Sequence, residues 1–268
     1  MTVGFIGGGN MASAIIRGIR QSEQLRELAL GLYDINSEKA AALAKECGMT
    51  HCGRIEELAE QSRYLVLAVK PQNFPEVLPQ IKGHLAADTI VVSIAAGITA
   101  DYIRSVLGEN TRVVTVMPNT PLLLGCGATA LSTDRQTPQD DFTFVCDLFH
   151  ASGEVAVIPA DKMNEIISVN GSSPAFIYLF AQGFVEYAQS VGIDGEVALR
   201  LFAKSLEGSA KMLTDSGRTI DELIQMVSSP GGTTLQGLEA LRANGLPQAV
   251  QAACEACTKR AYELSGQS

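Results

Sequence analysis

The sequence predicts an α/β protein: a doubly wound parallel sheet over residues 1–160, joined to an all-α half over residues 161–268. Three observations carry this. Short β-branched runs alternate with amphipathic stretches through the first half. Several of these runs are apolar on both faces, the pattern of parallel strands covered by helices on either side. After Pro159 the strand signals stop, and nearly every stretch fits a helical period.

Taken in order, strands are expected at 2–6, 29–33, 64–68, 89–94, 112–116 and 127–131, with a last one at 154–158. Helices are expected between them, among others at 10–20, 37–47 and 54–61; Asn36-Ser37 followed by Glu38 reads as a helix start. In the second half the helical pattern is broken at Gly171-Ser172-Ser173-Pro174, at Gly192-Ile193-Asp194, at Gly217 and over 228–234. The stretch 175–188, AFIYLFAQGFVEYA, is apolar on more than one face, and such a helix must be buried on most sides. Helices of this kind in one short half-chain struggle to cover one another. A homo-oligomer built through the helical half is therefore expected, in preference to a self-contained bundle.

Composition narrows the function. The 268 residues are 46% apolar and 18% charged, which describes a packed globule and excludes a disordered chain. A net charge of −9 argues against nucleic acid or an anionic membrane surface as a partner. No apolar run approaches the roughly 18 residues needed to span a bilayer. The chain enters a strand-like stretch directly, without a basic leader region, so a cytoplasmic protein with six reduced cysteines is expected. Cys254-x-x-Cys257 has no second pair and no nearby His, and it lies in a helical pattern; no metal is expected.

The strongest local signal is Gly7-Gly8-Gly9-Asn10-Met11-Ala12, which follows a strand and opens a helix. This is G-x-G-x-x-A. Gly7 permits the tight turn, Gly9 lets a pyrophosphate approach the backbone, and Ala12 lets helix and strand pack closely. The free N–H groups of the helix start then face the anion. Asp34 ends the second strand, where a carboxylate grips the adenosine ribose 2′-hydroxyl and repels a 2′-phosphate. No Arg follows it directly, which locally favours NADH, although Arg54 could reach a 2′-phosphate. Ala68-Val69-Lys70-Pro71-Gln72, Ala95-Ala96-Gly97 and Met117-Pro118-Asn119-Thr120-Pro121 follow three further strands, where such sheets bind ligands. Each could equally be a plain turn. Finally, Ser228-Ser229-Pro230-Gly231-Gly232-Thr233-Thr234 precedes the helical pattern 235–242 and offers an anion nest too short for a nucleotide phosphate. A small carboxylate suits it better.

Several of these stretches, in this order and spacing, resemble the pyrroline-5-carboxylate reductase family: GFIGGGNMA, AVKPQ, SIAAG, MPNTP, NGSSPAF, and SSPGGTT followed by LQGLEAL. The resemblance runs along essentially the whole chain. It implies a Rossmann-type domain, a helical dimerisation domain and an active site shared between two subunits. It also implies reduction of 1-pyrroline-5-carboxylate to L-proline by NAD(P)H. Carried over residue by residue, it places Gly7 to Ala12, Asp34, Ala68 to Pro71 and Ala95 to Gly97 on the dinucleotide. Met117 and Pro118 would then lie near the nicotinamide. Ser229, Gly231, Gly232 and Thr233 would hold the substrate carboxylate, and Thr234 would hydrogen-bond the ring nitrogen as the catalytic contact. Asp34 departs from the family, many of whose members carry Ser, Thr or Arg-containing turns there and use NADPH.

None of His51, His84 and His150 lies in a motif, and no carboxylate lies within 228–234. A keto acid would need a proton donor there. An imine brings its own proton, because its nitrogen is substantially protonated near neutrality. Two other readings remain: a β-hydroxyacid-type dehydrogenase using Lys162, Lys204 or Lys211, with Lys211 expected to lay its stem on the core, and a non-catalytic NAD(P) redox sensor.

Overall fold

The computed structural model describes residues 2–134 and 136–264; residues 1, 135 and 265–268, which include both outer limits of the expected halves, lie outside the described residues. The described chain forms two compact units. One comprises residues 2–172 with 255–264, the other Ser173–Cys254. The change in periodicity at Pro159 and the division after residue 172 are separated by two single-turn elements, a 3-10 turn at Ala160–Lys162 and a π-helical turn at Ile167–Gly171.

The first unit holds an eight-stranded sheet. Its strands are β1 (Val3–Ile6), β2 (Leu30–Tyr33), β3 (Thr50–His51), β4 (Tyr64–Leu67), β5 (Ile90–Ser93), β6 (Arg112–Met117), β7 (Gly127–Thr133) and β8 (Gly153–Val157), in the spatial order β3-β2-β1-β4-β5-β6-β7-β8. The connecting helices are α1 (Asn10–Gln21), α2 (Ser37–Glu46), α3 (Ile55–Gln61), α4 (Phe74–Ile81), α5 (Ala100–Leu107) and α6 (Gln139–His150). All seven expected strands are present, with ends shifted by a residue or two. β3 was not expected. It is two residues long, at the sheet edge, and too short to show any period.

The expected parallel sheet needs one correction: β7 runs antiparallel to β6. Residues 118–126 connect them, fewer than the dozen or so that a parallel crossover requires, so the chain can only turn back. β8 then returns parallel to β7 through α6.

Runs apolar on both faces have their explanation in two separate cores. Val3 and Phe5 of β1, Val66 of β4, Val92 of β5 and Val114 of β6 face α1, α2 and α6, whose Ile15, Ile16, Ile19, Leu43 and Phe149 fill that side. The alternate residues Ile6, Leu65, Leu67, Val91 and Val113 face Leu58, Phe74, Leu78 and Ile103 from α3, α4 and α5. The apolar face of α1 follows the i, i+3, i+4, i+7 rule through Ala12, Ile15, Ile16 and Ile19.

The second unit contains α7 (Ser173–Ser190), α8 (Gly195–Asp215), α9 (Ile220–Met226), α10 (Thr233–Ala243) and the start of α11 (Leu246–Leu264). α7 and α8 pack through Phe180, Phe184 and Phe202, with the last two rings stacked at 4.2 Å. α8, α9 and α10 nevertheless contribute no buried residue, and Leu179, Tyr187, Leu201, Leu213 and Val227 are all more than half exposed. An apolar surface of this extent marks an association face.

A polar clamp closes the amino edge of the sheet. Asp141, in the first turn of α6, accepts hydrogen bonds from Arg63 Nη2 at 2.7 Å and from the buried Tyr64 hydroxyl at 2.8 Å. Burial first, and the Asp141 hydrogen bond second, push the Tyr64 phenol up to about 12. Asp141→Ala should therefore cost on the order of 2 kcal/mol and several degrees of Tm in thermal denaturation. The folded state favours the neutral phenol. Its stabilisation is whole below the ordinary value of 10 and is lost as pH rises from there through about 12. Tyr64→Phe should flatten the stability curve across that window.

Candidate active site

β1, β4, β5 and β6 run parallel with Ile6 beside Leu67, Leu67 beside Ser93 and Ser93 beside Thr115, so their carboxyl ends lie along one edge. The order of strands reverses between β1 and β4, where such sheets bind ligands. The structure brings the expected cofactor residues of the first unit to this edge. Gly7 and Gly8 leave β1, Gly9 caps α1, and Asn10, Met11 and Ala12 form its first turn. Ala68 to Pro71 leave β4, Ala95 to Gly97 leave β5, and Met117 ends β6 ahead of Pro118.

Two glycines of the turn have different reasons to be there. Gly7 has φ +102°, and a Cβ on it would lie 2.7 Å from the Ala68 carbonyl oxygen. Gly9 has φ −68°, open to any residue, and a Cβ on it would meet nothing within 4 Å. Its smallness serves no packing, so the space above it is free for a ligand. No side chain caps α1, which leaves its first amides to an anion.

Asp34 follows β2 and is held at both oxygens. Oδ2 accepts the Gly8 N–H at 2.6 Å and Oδ1 the Asn36 N–H at 2.8 Å. Asn36 in turn caps α2 by accepting the Lys39 N–H at 3.0 Å. The Arg54 side chain is 74% exposed and lies 3.6 Å from Glu56. Lys70 stands exposed beyond β4. Next to this edge, a cavity of about 410 Å³ is lined by Ala95, Gly97, Met117, Asn164 and Tyr262.

Ser229, Gly231, Gly232, Thr233 and Thr234 belong to the second unit. The Gly232 N–H donates to the Ser229 carbonyl at 2.9 Å, closing a Pro230-Gly231 turn in which Gly231 has φ +72°. One boundary is corrected: α10 begins at Thr233, so Thr233 and Thr234 are its first residues and do not precede it. The cause is the cap, since Gly232 is extended at φ −78°, ψ 159° and offers no side chain to the helix start. The Ser228 hydroxyl is used by the Ile224 carbonyl at 2.6 Å. The hydroxyls of Ser229, Thr233 and Thr234 have no partner among the described residues and stay available with the free amides.

The lysines of the alternative dehydrogenase reading are surface groups. Asp161 first and Glu165 second hold Lys162 above the ordinary lysine range, the opposite of a base. Lys204 and Lys211 both pair with Glu207, at 2.8 and 3.3 Å. The Lys211 side chain is 70% exposed, so the expectation that its stem lies on the core is corrected. Among the described residues no cluster of His, Cys, Asp or Glu could hold a metal ion, and all six cysteines are free. No described helix is long and apolar enough to cross a membrane.

Asn119 and Asn170, which the sequence shows only as members of the MPNTP and NGSSPAF stretches with no role of their own, are both at least nine-tenths buried. The Asn119 amide accepts the Ala128 N–H at 2.9 Å and donates to the Asn170 carbonyl at 3.2 Å. The Asn170 amide donates to Met117 at 2.7 Å and Ala128 at 3.1 Å. Both lie in turn-like strings where Asn is unremarked, and their pairing spans 51 residues of sequence.

Gly7→Ala should destabilise the fold by more than about 1 kcal/mol, because it strains φ and crowds Ala68. Gly9→Ala should leave Tm unchanged yet raise the Kd for a nicotinamide dinucleotide on the order of tenfold or more, by fluorescence titration. Equal effects on Tm would remove the distinction between a packing glycine and a ligand glycine.

Residues 160–264 match the family model described as pyrroline-5-carboxylate reductase dimerisation, and residues 2–97 match NADP oxidoreductase coenzyme F420-dependent. The pyrroline-5-carboxylate reductase of Escherichia coli K12 is 34% identical over 263 residues, covering 98% of each chain. The solved structure of a pyrroline-5-carboxylate reductase from Coxiella burnetii is similar at TM-score 0.90 and 31% identity, covering 98% of both chains. That of Plasmodium falciparum pyrroline carboxylate reductase with NADP bound is similar at TM-score 0.89 and 28% identity, covering 99% of this chain and 98% of the other. With curated relatives more than 30% identical along almost its entire length, this chain belongs to the pyrroline-5-carboxylate reductase family.

Proposed function

We propose that this chain reduces 1-pyrroline-5-carboxylate to L-proline with NAD(P)H, and that it prefers NADH. The observation that carries the reaction type is the start of α10: uncapped amides, three free hydroxyls and no titratable side chain from 227 to 235. That set can clamp a carboxylate and accept a hydrogen bond from a ring N–H, but it cannot donate a proton to an alkoxide. It therefore fits a substrate that arrives protonated.

The residues fit the dinucleotide. The space at Gly9 and the uncapped start of α1 take the pyrophosphate, Lys70 stands ready as a cation, and Ala95 to Gly97 with Met117 and Pro118 wall the nicotinamide. When bound, NAD(P)H supplies the hydride that adds to the imine carbon; the chain's part is orientation. Ser229, Gly231, Gly232 and Thr233 hold the carboxylate, and Thr234 accepts from the ring nitrogen. Asp34, fixed at both oxygens, presents its charge where a 2′-phosphate would lie. The exposed apolar faces of α7, α8 and α9 support a homo-oligomer formed through the helical half. Six free cysteines suit the cytoplasm.

Oxidation of NADH and NADPH by pyrroline-5-carboxylate, followed at 340 nm, should show turnover with kcat/KM higher for NADH. The absence of turnover with either would overturn the reaction, and an NADPH preference would overturn the Asp34 argument alone. Thr234→Ala should lower kcat by about 100-fold, the scale of one lost polar contact to the reacting group. Gly232→Val should block substrate binding while dinucleotide binding survives, since a Cβ there would lie 2.6 Å from Ser229 Oγ. Sedimentation of the pure protein should give a dimer or larger; a monomer at micromolar concentration would contradict the oligomer.

A further inference from the structure

The ladder between β6 and β7 ends at Met117 opposite Ala130. Beyond it stands Pro118, which has no N–H to donate to a ladder. Two buried asparagine side chains take over. Asn119 Oδ1 accepts the Ala128 N–H, while Asn170 Nδ2 donates to both the Met117 and the Ala128 carbonyls. Asn119 Nδ2 donates back to the Asn170 carbonyl, which ties the π-helical turn Ile167–Gly171 into the same knot. The turn comes close to Met117 itself: a Cβ on Gly171 would lie 3.3 Å from Met117 Sδ. Helical turns widened in this way recur at functional positions, because they are retained despite poorer geometry.

The Asn170 amide acts on the carbonyl of the residue assigned to the nicotinamide wall. Met117 lines the cavity with Ala95 and Gly97, and its carbonyl accepts a hydrogen bond from the Asn170 amide at 2.7 Å. We propose that Asn170 is a positioning residue for hydride transfer: by holding the Met117 carbonyl, it sets the wall against which the nicotinamide lies. This rests on the assignment of Met117 to the nicotinamide made above. Asn170 acts through Met117 and not on a reacting atom. Its effect is on angle and distance, to which hydride transfer is steeply sensitive.

The test compares wild type with Asn170→Ala and with Asn170→Ser, which keeps one donor. In steady-state assays Asn170→Ala should lower kcat roughly 10- to 100-fold, the cost of misplacing reacting groups by about 1 Å. KM for NADH should change little, since the pyrophosphate and adenosine are held by α1 and Asp34. The primary isotope effect with C4-deuterated NADH should rise as hydride transfer becomes limiting, and Asn170→Ser should fall between the two. Without substrate, fluorescence of NADH bound to Asn170→Ala should show a more mobile nicotinamide. A variant whose Tm falls while kcat, isotope effect and bound-NADH fluorescence match wild type would overturn the proposal and leave a purely structural knot. A wild type that binds NADH but leaves pyrroline-5-carboxylate unreduced would overturn the functional reading instead; the fluorescence comparison then decides the role of Asn170 alone. If Asn170→Ala fails to fold, Asn170→Ser decides on the same readouts.

Discussion

The close approach of Gly7 to the Ala68 carbonyl is the constraint on which the cofactor edge depends. β1 and β4 are neighbours in register, and the chain leaves both at the same level. There is no room for a side chain between them, and the backbone at Gly7 must take φ +102° to turn from the strand into α1. Only a glycine meets both demands. From that turn follow the direction of α1, the placing of its free amides, and the distance at which an anion can sit.

Asp34 ties the end of β2 to the glycine turn. Its carboxylate is the acceptor for the Gly8 amide, and so a support of the glycine turn. A substitution of Asp34 removes an acceptor from the Gly8 amide and so loosens the turn. Asn36 extends the linkage, because its amide anchors Asp34 while its side chain starts α2.

The two units meet the burial requirement in different ways. In the first, each central strand sends alternate residues into two cores, and large side chains such as Phe5, Phe74 and Phe149 are fully enclosed. In the second, aromatic packing joins α7 to α8, but much apolar surface stays open. Such a surface costs solubility unless it is covered by association, which is the physical content of a dimerisation domain. The Ser-Ser-Pro-Gly-Gly-Thr-Thr segment at the start of α10 belongs to this second unit.

The glycine turn, Asp34 and the Ser-Ser-Pro-Gly-Gly-Thr-Thr segment were legible from sequence because their parts are contiguous and each does a local job: a positive φ, a missing Cβ, a helix start. The central strands were legible because burial on two faces leaves uninterrupted apolar runs. The two-residue β3 was not, since it carries no period, and the reversal of β7 had to be decided by the length of its connection. The start of α10 at Thr233 depended on the backbone of Gly232, which has no side chain to announce it. Family membership, and with it the chemistry, was written in the sequence. What only the tertiary structure decided is how the chain beyond β6 is held: two buried asparagines, far apart in the chain, bond Met117, Ala128 and each other, and no local pattern records a hydrogen bond formed across 51 residues.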